Sequence, residues 1–189
     1  EEDDIAMGET FPDVVPILAL KNTVLFPGIV IPITVGRDKS IKAINKAYEG
    51  DRIIGVLSQK ESQTEDPKPG DLYKIGTVAR ILKLLKMPDG TATAIIQGRR
   101  RFSLSEMIEV DPYMVGKISI LDENAAEDTL EHKALISSIK DKAKQIIQLS
   151  PNIPSEAATM LRNITNDSFL VNFIASNLGI NNVKKQLVL

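Results

Sequence analysis

Near Asp122 the spacing of apolar residues changes period, and that change restricts the chain to a β part followed by a helical part. Before Asp122, short runs rich in β-branched residues alternate with proline and glycine. Val15-Pro16-Ile17-Leu18-Ala19-Leu20 reads as a strand, and Lys21-Asn22-Thr23 as a turn. In Val24-Leu25-Phe26-Pro27-Gly28, proline and glycine break any regular element. Ile29 to Val35 reads as a strand in which Pro32 lacks the ladder donor, so it belongs at an edge or a bulge. Asp38 is placed to cap a helix carrying Ile41, Ala43, Ile44, Ala47 and Tyr48, with Gly50 as its stop. Ile53–Leu57 is a further strand, and residues 58–71 are a polar loop. Thr77–Met87 and Thr91–Gln97, joined by Pro88-Asp89-Gly90, read as a β-hairpin. Val78, Ile81, Leu82 and Leu85 also fit a helical face, but Thr91–Gln97 has no helical pattern, which favours strands. Phe102-Ser103-Leu104 and Met114–Leu121 complete the β part.

After Asp122 the period is helical. Leu130, Leu135, Ile139, Ala143, Ile146 and Ile147 form one stripe, ended by Ser150-Pro151-Asn152-Ile153-Pro154. A second helix opens at Ser155 and carries Ala157, Ala158, Met160, Leu161 and Ile164. Asp167 is placed to cap a third, with Phe169, Leu170, Phe173, Ile174 and Leu178, closed by Gly179. Asn181–Leu189 begins one more element, whose Val183, Leu187 and Val188 lack a continuation, as in a truncated chain. The expected class is therefore α+β, with a β-rich subdomain over 14–121 and a helical subdomain over 122–189.

Charge adds a third region. Residues 1–15 hold six acids and no base, leaving 19 acids against 23 bases elsewhere. Residues 1–13 read as a disordered acidic leader, because like charges repel and bury little. The body is too weakly basic to read as a nucleic-acid binder on composition. At 189 residues the chain can bury ~70% of its unfolded surface and needs no staples. The absence of cysteine excludes disulfides, thiolate metal sites and thiol nucleophiles. A single histidine, His132, excludes a histidine pair within one chain and reads as solvated between Glu131 and Lys133. No apolar run approaches the ~20 residues that span a bilayer, and no signal peptide is visible.

Catalytic patterns are missing. Gly50-Asp51-Arg52-Ile53-Ile54-Gly55 has the spacing of a phosphate loop, but Val56 and Leu57 stand where Lys and Ser/Thr must reach phosphate and magnesium. No residue is assigned as catalytic or as a metal ligand. Arg99-Arg100-Arg101 is the one compact basic cluster, read as a strand rim or turn with solvated arginines, with structural ion pairing or an anionic partner as the alternatives. An extended strand would put Arg99 and Arg101 on one face and Arg100 on the other.

The ordered series Val15-Pro16-Ile17-Leu18-Ala19-Leu20-Lys21-Asn22-Thr23-Val24-Leu25-Phe26-Pro27-Gly28, Ile31–Ser40, Ser58-Gln59-Lys60, Asp71–Ala79, Lys83–Thr91 and Gln97–Arg101 resembles the N-terminal substrate-recognition domain of the Lon protease family. The resemblance covers roughly residues 12–180. It implies a PUA-like β subdomain followed by a helical bundle. It also implies the front of a longer ATP-dependent serine protease, a homohexamer of the bacterial cytoplasm or, second, of mitochondria. ATP and magnesium would serve that longer protein, with no cofactor in this segment. Gly28 stands where many relatives carry a bulkier polar residue, a difference expected to alter a surface loop and not the fold.

The implied function is non-catalytic: capture of damaged, unfolded or degron-bearing protein, together with support of hexamer assembly. Such capture needs apolar surface tolerant of many sequences. The candidate contacts are Leu25, Phe26 and Pro27 in the loop, and Met87 and Pro88 at the hairpin tip; Leu25 and Phe26 are either displayed or folded into the core. Two rivals remain. One is an RNA-binding PUA-like module using Arg99, Arg100 and Arg101, against which the 4% aromatic content and low net charge count. The other is an oligomerisation arm built from the helical half.

Overall fold

Where the β-branched runs lie between breakers, strands form. The computed structural model describes residues 9–123, 129–150 and 156–189. Its β half contains β1 (Val14–Leu20), β2 (Val30–Val35), α1 (Asp38–Glu49), β3 (Ile53–Ser58), β4 (Ile75–Lys86), β5 (Ala92–Glu109) and β6 (Val115–Ile120). β1 and β3 run parallel; every other pair is antiparallel. The pairings β5–β4, β4–β3, β3–β1, β1–β6 and β6–β5 close a ring of five strands. Closure removes the free edges that five separate strands would expose. The 18-residue β5 makes closure possible, since Ala92–Gln97 pairs with β2 and Phe102–Glu109 with β6. Gly98 and the three arginines therefore lie inside one strand, not at a turn between two. A register shift between Val78 and Ala79 leaves Arg99 as the extra residue of a bulge.

Two cores fill this half. Leu18, Leu20, Ile54, Val56, Ile81 and Ile96 pack beneath Ala43, Ile44 and Ala47 of α1. Val15, Ile17, Leu57, Val78, Phe102 and Ile118 form the second. Each such side chain contributes ~1.5–3 kcal/mol when fully buried. The α1 stripe and its Gly50 stop are as the sequence indicates. Its cap is not: Arg37 is the N-cap residue and makes no side-chain capping bond, and Asp38 is the first helical residue, paired with Lys42 at 2.7 Å.

β2 lies outside the ring. The Gly98 amide donates to the Ile29 carbonyl at 2.9 Å, which makes that pair the hydrogen-bonded type. Alternation then turns the backbone of Val30, Pro32 and Thr34 to the open edge, where Pro32 has no N–H to offer. The expected edge position of Pro32 is thus its position in the fold.

The helical half holds α2 (Leu130–Leu149), α3 (Glu156–Asn163), α4 (Asp167–Asn177) and α5 (Asn182–Val188). Thr129, Asn166 and Asn181 cap α2, α4 and α5 by accepting the amides of His132, Phe169 and Lys184. Asn166, not Asp167, caps α4, and that helix ends at Asn177, two residues before Gly179. The proposed helix break at Pro151–Pro154 and start at Ser155 lie outside the described residues. α2 packs against α3, yet no α2 residue is buried, and Leu130 and Leu149 are 87% and 83% exposed. His132 is not simply solvated: its Nε2 lies 3.0 Å from Asp167 Oδ2 on α4. α4 and α5 dock on the ring through a third core of Val24, Phe26 and Ala175, with Ile29 and Leu189 against it.

The leader reading needs a correction over its last residues. Residues 1–8 lie outside the described region, but Glu9 is ion-paired to Arg80 and Arg99, and Phe11 packs against the second core.

Candidate functional site

The sheet formed by β2, the first half of β5 and the far half of β4 is apolar on its inner face and carries apolar residues among polar ones on its outer face. One face carries Ile31, Ile33, Val35, Ala92, Ala94, Ile96 and Ile81 into the core under α1. The opposite face follows from the register. Val30 opposes Gln97, which opposes Arg80; Pro32 opposes Ile95, which opposes Lys83; Thr34 opposes Thr93, which opposes Leu85. The bulge between Ile81 and Lys83 adds Leu82. Val30, Leu82, Leu85 and Met87 are 42–48% exposed. One helix can cover one face of a sheet, and α1 already covers the inner one.

Of the sequence candidates, Met87 and Pro88 are exposed at the tip of this hairpin. The Met87 amide donates to Thr91 at 2.9 Å, and Gly90 takes φ +86° to close the turn. Leu25, Phe26 and Pro27 are elsewhere and are not displayed. Leu25 is 2% exposed in the core under α1, Phe26 is 0% exposed against Ala175, and Pro27 is buried. Their direct-contact role is replaced by a structural one, because the loop backbone is bound into the ring. Thr77 Oγ1 donates to the Leu25 carbonyl at 2.6 Å, and the Gly28 amide to the Gly98 carbonyl at 2.8 Å. A Cβ on Gly98 would stand 2.3 Å from the Phe26 carbonyl oxygen, so this approach requires glycine.

The arginine cluster is likewise engaged within the chain. Arg99 Nε donates to Glu9 Oε2 at 2.7 Å, and Arg80 Nη2 to Glu9 Oε1 at 2.5 Å. Burial opposes ionisation of Glu9, but the Arg80 and Arg99 guanidinia outweigh it and hold the carboxyl below its usual range. Arg100 Nη2 donates to the Leu121 carbonyl at 3.4 Å. Arg101 bonds Asn172 at 2.7 Å, Glu123 at 3.1 Å and the Leu189 carbonyl. The role of Arg99, Arg100 and Arg101 as contacts for an anionic partner is therefore replaced by internal contacts, which occupy Arg99 and Arg101, while Arg100 Nε is buried without a hydrogen-bond partner. The bulge also separates Arg99, directed to Glu9, from Arg101, directed to α4 and α5.

Sequence reasoning missed Val30, Pro32, Leu82, Leu85 and Ile95. A signal existed: β2 and β5 are apolar at both odd and even positions, while only one amphipathic helix lies nearby in sequence. Chemically, the face offers apolar contact and the cations Lys83 and Arg80, the latter paired to Glu9. Among the described residues there is no group of three or more His, Asp or Glu fit to hold a metal. The phosphate-loop near miss is accounted for: Gly50 caps α1, and Ile53–Gly55 is buried in β3. A cleft of about 290 Å³ lies between α2 and α3, lined by Lys140, Lys144, Leu161 and Arg162. No described helix is long and apolar enough to cross a membrane.

The family described as the ATP-dependent protease La (LON) substrate-binding domain matches residues 14–189. The Lon protease of Flavobacterium johnsoniae is 50% identical over 187 residues, covering 98% of this chain and 23% of that protein. The Lon protease of Cytophaga hutchinsonii is 45% identical over 182 residues, covering 96% of this chain and 22% of that protein. The chain thus spans under a quarter of the length of these relatives. Among solved structures, the N-terminal domain of the Mycobacterium avium complex Lon protease superposes with a TM-score of 0.72 at 24% identity, covering 93% of this chain and 89% of that one. A Lon N-terminal domain protein from Xanthomonas campestris gives 0.54 at 18% identity, covering 87% and 98%. At these identities the structural likeness concerns the fold.

Proposed function

Since the chain belongs to the substrate-binding domain family of Lon proteases, we propose that it captures unfolded or damaged polypeptide on the outer β2–β5–β4 face. It does no chemistry itself, and in a longer chain it presents what it holds to an ATP- and magnesium-dependent serine protease, assembled as a homohexamer in the bacterial cytoplasm. The observation that supports this reading is the uncovered apolar face with Val30, Leu82, Leu85 and Met87 half exposed. Monomeric domains rarely leave such a patch without a partner. A face of flat side-chain contacts suits many sequences, and methionine adapts to varied partners.

The test uses Leu85→Ser and a permanently unfolded test protein. Leu85 is 44% exposed, so the variant should melt close to wild type while its affinity falls ~5- to 10-fold, the loss of part of the ~1.5–3 kcal/mol available to a buried leucine. Unchanged affinity would remove this face from the mechanism.

A second reading is supported by a different surface. Leu130, Leu135, Ile146 and Leu149 of α2 and Met160 of α3 are more than half exposed, as an arm for self-association requires. Light scattering of wild type and a Leu135→Ser/Ile146→Ser variant tests it: the reading predicts larger species that only the variant loses. The RNA alternative has no comparable support, since Arg99 and Arg101 are already paired within the chain.

A further inference from the structure

We infer that, without a client, the chain's own Ile5-Ala6-Met7 lies along the outer β2–β5–β4 face as a tethered competitor, which a client must displace in order to bind. This rests on the capture reading above and adds to it a control of the same face by the leader.

The segment before β1 runs from the ring toward this face. The Asp13 carbonyl accepts the Ile118 amide at 2.8 Å, Phe11 packs against the second core, and Glu9 is held between Arg80 and Arg99. Arg80 stands in the row of Val30 and Gln97, the ring end of the outer face. Glu9 is a fixed point there. Its side chain is 14% exposed, and each carboxylate oxygen is bonded to a different arginine. The residues that precede Glu9 are therefore delivered at the edge of the exposed apolar patch.

Spacing then matches the leader to the face. In an extended segment, residues two apart share a side, so Met7 and Ile5 turn to the sheet with the Glu9 carboxylate. Side chains on one side step by about 7 Å, which is also the step between successive rows of the sheet. Met7 reaches the row of Pro32, Ile95 and Lys83 with the bulged Leu82, and Ile5 reaches the row of Thr34, Thr93 and Leu85. The two large apolar residues of the leader thus meet Leu82 and Leu85, which are 42% and 44% exposed. Lys83 is a single cation, so the apolar pair and the Glu9 anchor carry the contact, not Glu1–Asp4. Two such side chains bind weakly as a free peptide. A short tether holds them at an effective concentration on the order of millimolar, which suffices to keep the face covered part of the time. Client affinity is then reduced by the fraction of molecules that are open.

Two measurements on the whole chain test this. The chain has no cysteine, so Ala6→Cys takes a single nitroxide label on the side of the segment turned away from the sheet. Amide resonances of Leu82–Met87 and Thr93–Ile95 should broaden, and Ile5→Ser/Met7→Ser should remove most of that broadening. Without the label, Ile5→Ser/Met7→Ser should bind the permanently unfolded test protein ~2- to 5-fold more tightly than wild type. Broadening without tighter binding, or tighter binding without broadening, overturns the proposal. If neither occurs while Leu85→Ser still weakens capture, the occlusion falls and the capture reading stands. If Leu85→Ser placed in the Ile5→Ser/Met7→Ser background leaves affinity unchanged, the capture reading itself falls. Broadening seen only when spin-labelled chain is mixed with separate isotope-labelled chain overturns the same-chain arrangement in favour of a second copy.

Discussion

Glu9 bridges Arg80 and Arg99 across separations of 71 and 90 residues in sequence. Its folded-state carboxyl lies below the usual range, so its stabilisation is present above the unfolded-state pKa and is lost as pH falls through the folded one. Glu9→Gln should therefore lower stability at pH 7 by ~1–3 kcal/mol, and in chemical denaturation wild type and variant should converge as pH falls below the ordinary carboxylate range and through the depressed folded-state pKa. A constant gap from pH 7 to pH 3 would assign the effect to packing. Gly28 is a second single-residue constraint. It takes φ +79°, and a Cβ there would stand 2.7 Å from the Phe169 ring. The position is therefore a seam between β5 and α4, not a free surface loop as the family comparison suggested. Gly28→Ala should cost ~1–3 kcal/mol, several degrees of melting temperature by calorimetry.

At the scale of elements, α4 and α5 behave as part of the β half, whereas α2 does not. Phe26, Asn172 and Gln186 tie the former to the ring, Gln186 by donating to the Ile75 carbonyl at 3.0 Å. α2 has no buried residue and is held by contact with α3, by His132–Asp167 and by Lys140 donating to the Ile164 carbonyl. Amides of α2 should exchange with deuterium at least tenfold faster than those of β1 and β3, as read by mass spectrometry. Equal protection would mean that the exposed side of α2 is covered in solution. Phe26→Asp distinguishes the buried loop from the exposed hairpin: it should lower stability by more than ~3 kcal/mol, whereas Leu85→Ser should not. Much of this was legible locally. Pro88-Asp89-Gly90 and Gly50 are punctuation that acts within a few residues, so the hairpin and the end of α1 could be read directly. Ring closure could not, because Gly98 and three arginines interrupt the apolar pattern of β5 and only distant partners keep it a strand. Nor could the candidate face be read, since a strand apolar on both sides does not say which side a helix will cover. The display of Met87 and the burial of Phe26 were likewise equivalent in sequence; α4 covers Phe26, while Met87 stands at the tip of the hairpin.

For the whole molecule, the division of labour is between a ring that is closed and a face that is open. The ring takes up the segment with phosphate-loop spacing as strand: Ile53–Gly55 pairs with Val78–Arg80 inside the sheet. The purified chain should accordingly show no ATP turnover and no peptide cleavage above a buffer control, and measurable turnover would place chemistry where none is argued. Its RNA affinity should stay in the non-specific range and vanish with salt, by ~0.9 or less in log–log slope per phosphate contact. Finally, a protein that handles sticky, half-folded clients lives among seeds for fibril growth, and any strand that accepts one in register becomes the next template. Pro32, midway along the open edge of β2, denies such a seed a continuous ladder. On the proposed capture function, the molecule would hold aggregating chains without being recruited into them. Pro32→Val should leave client affinity unchanged yet shorten the lag before the protein itself co-precipitates with an aggregating client.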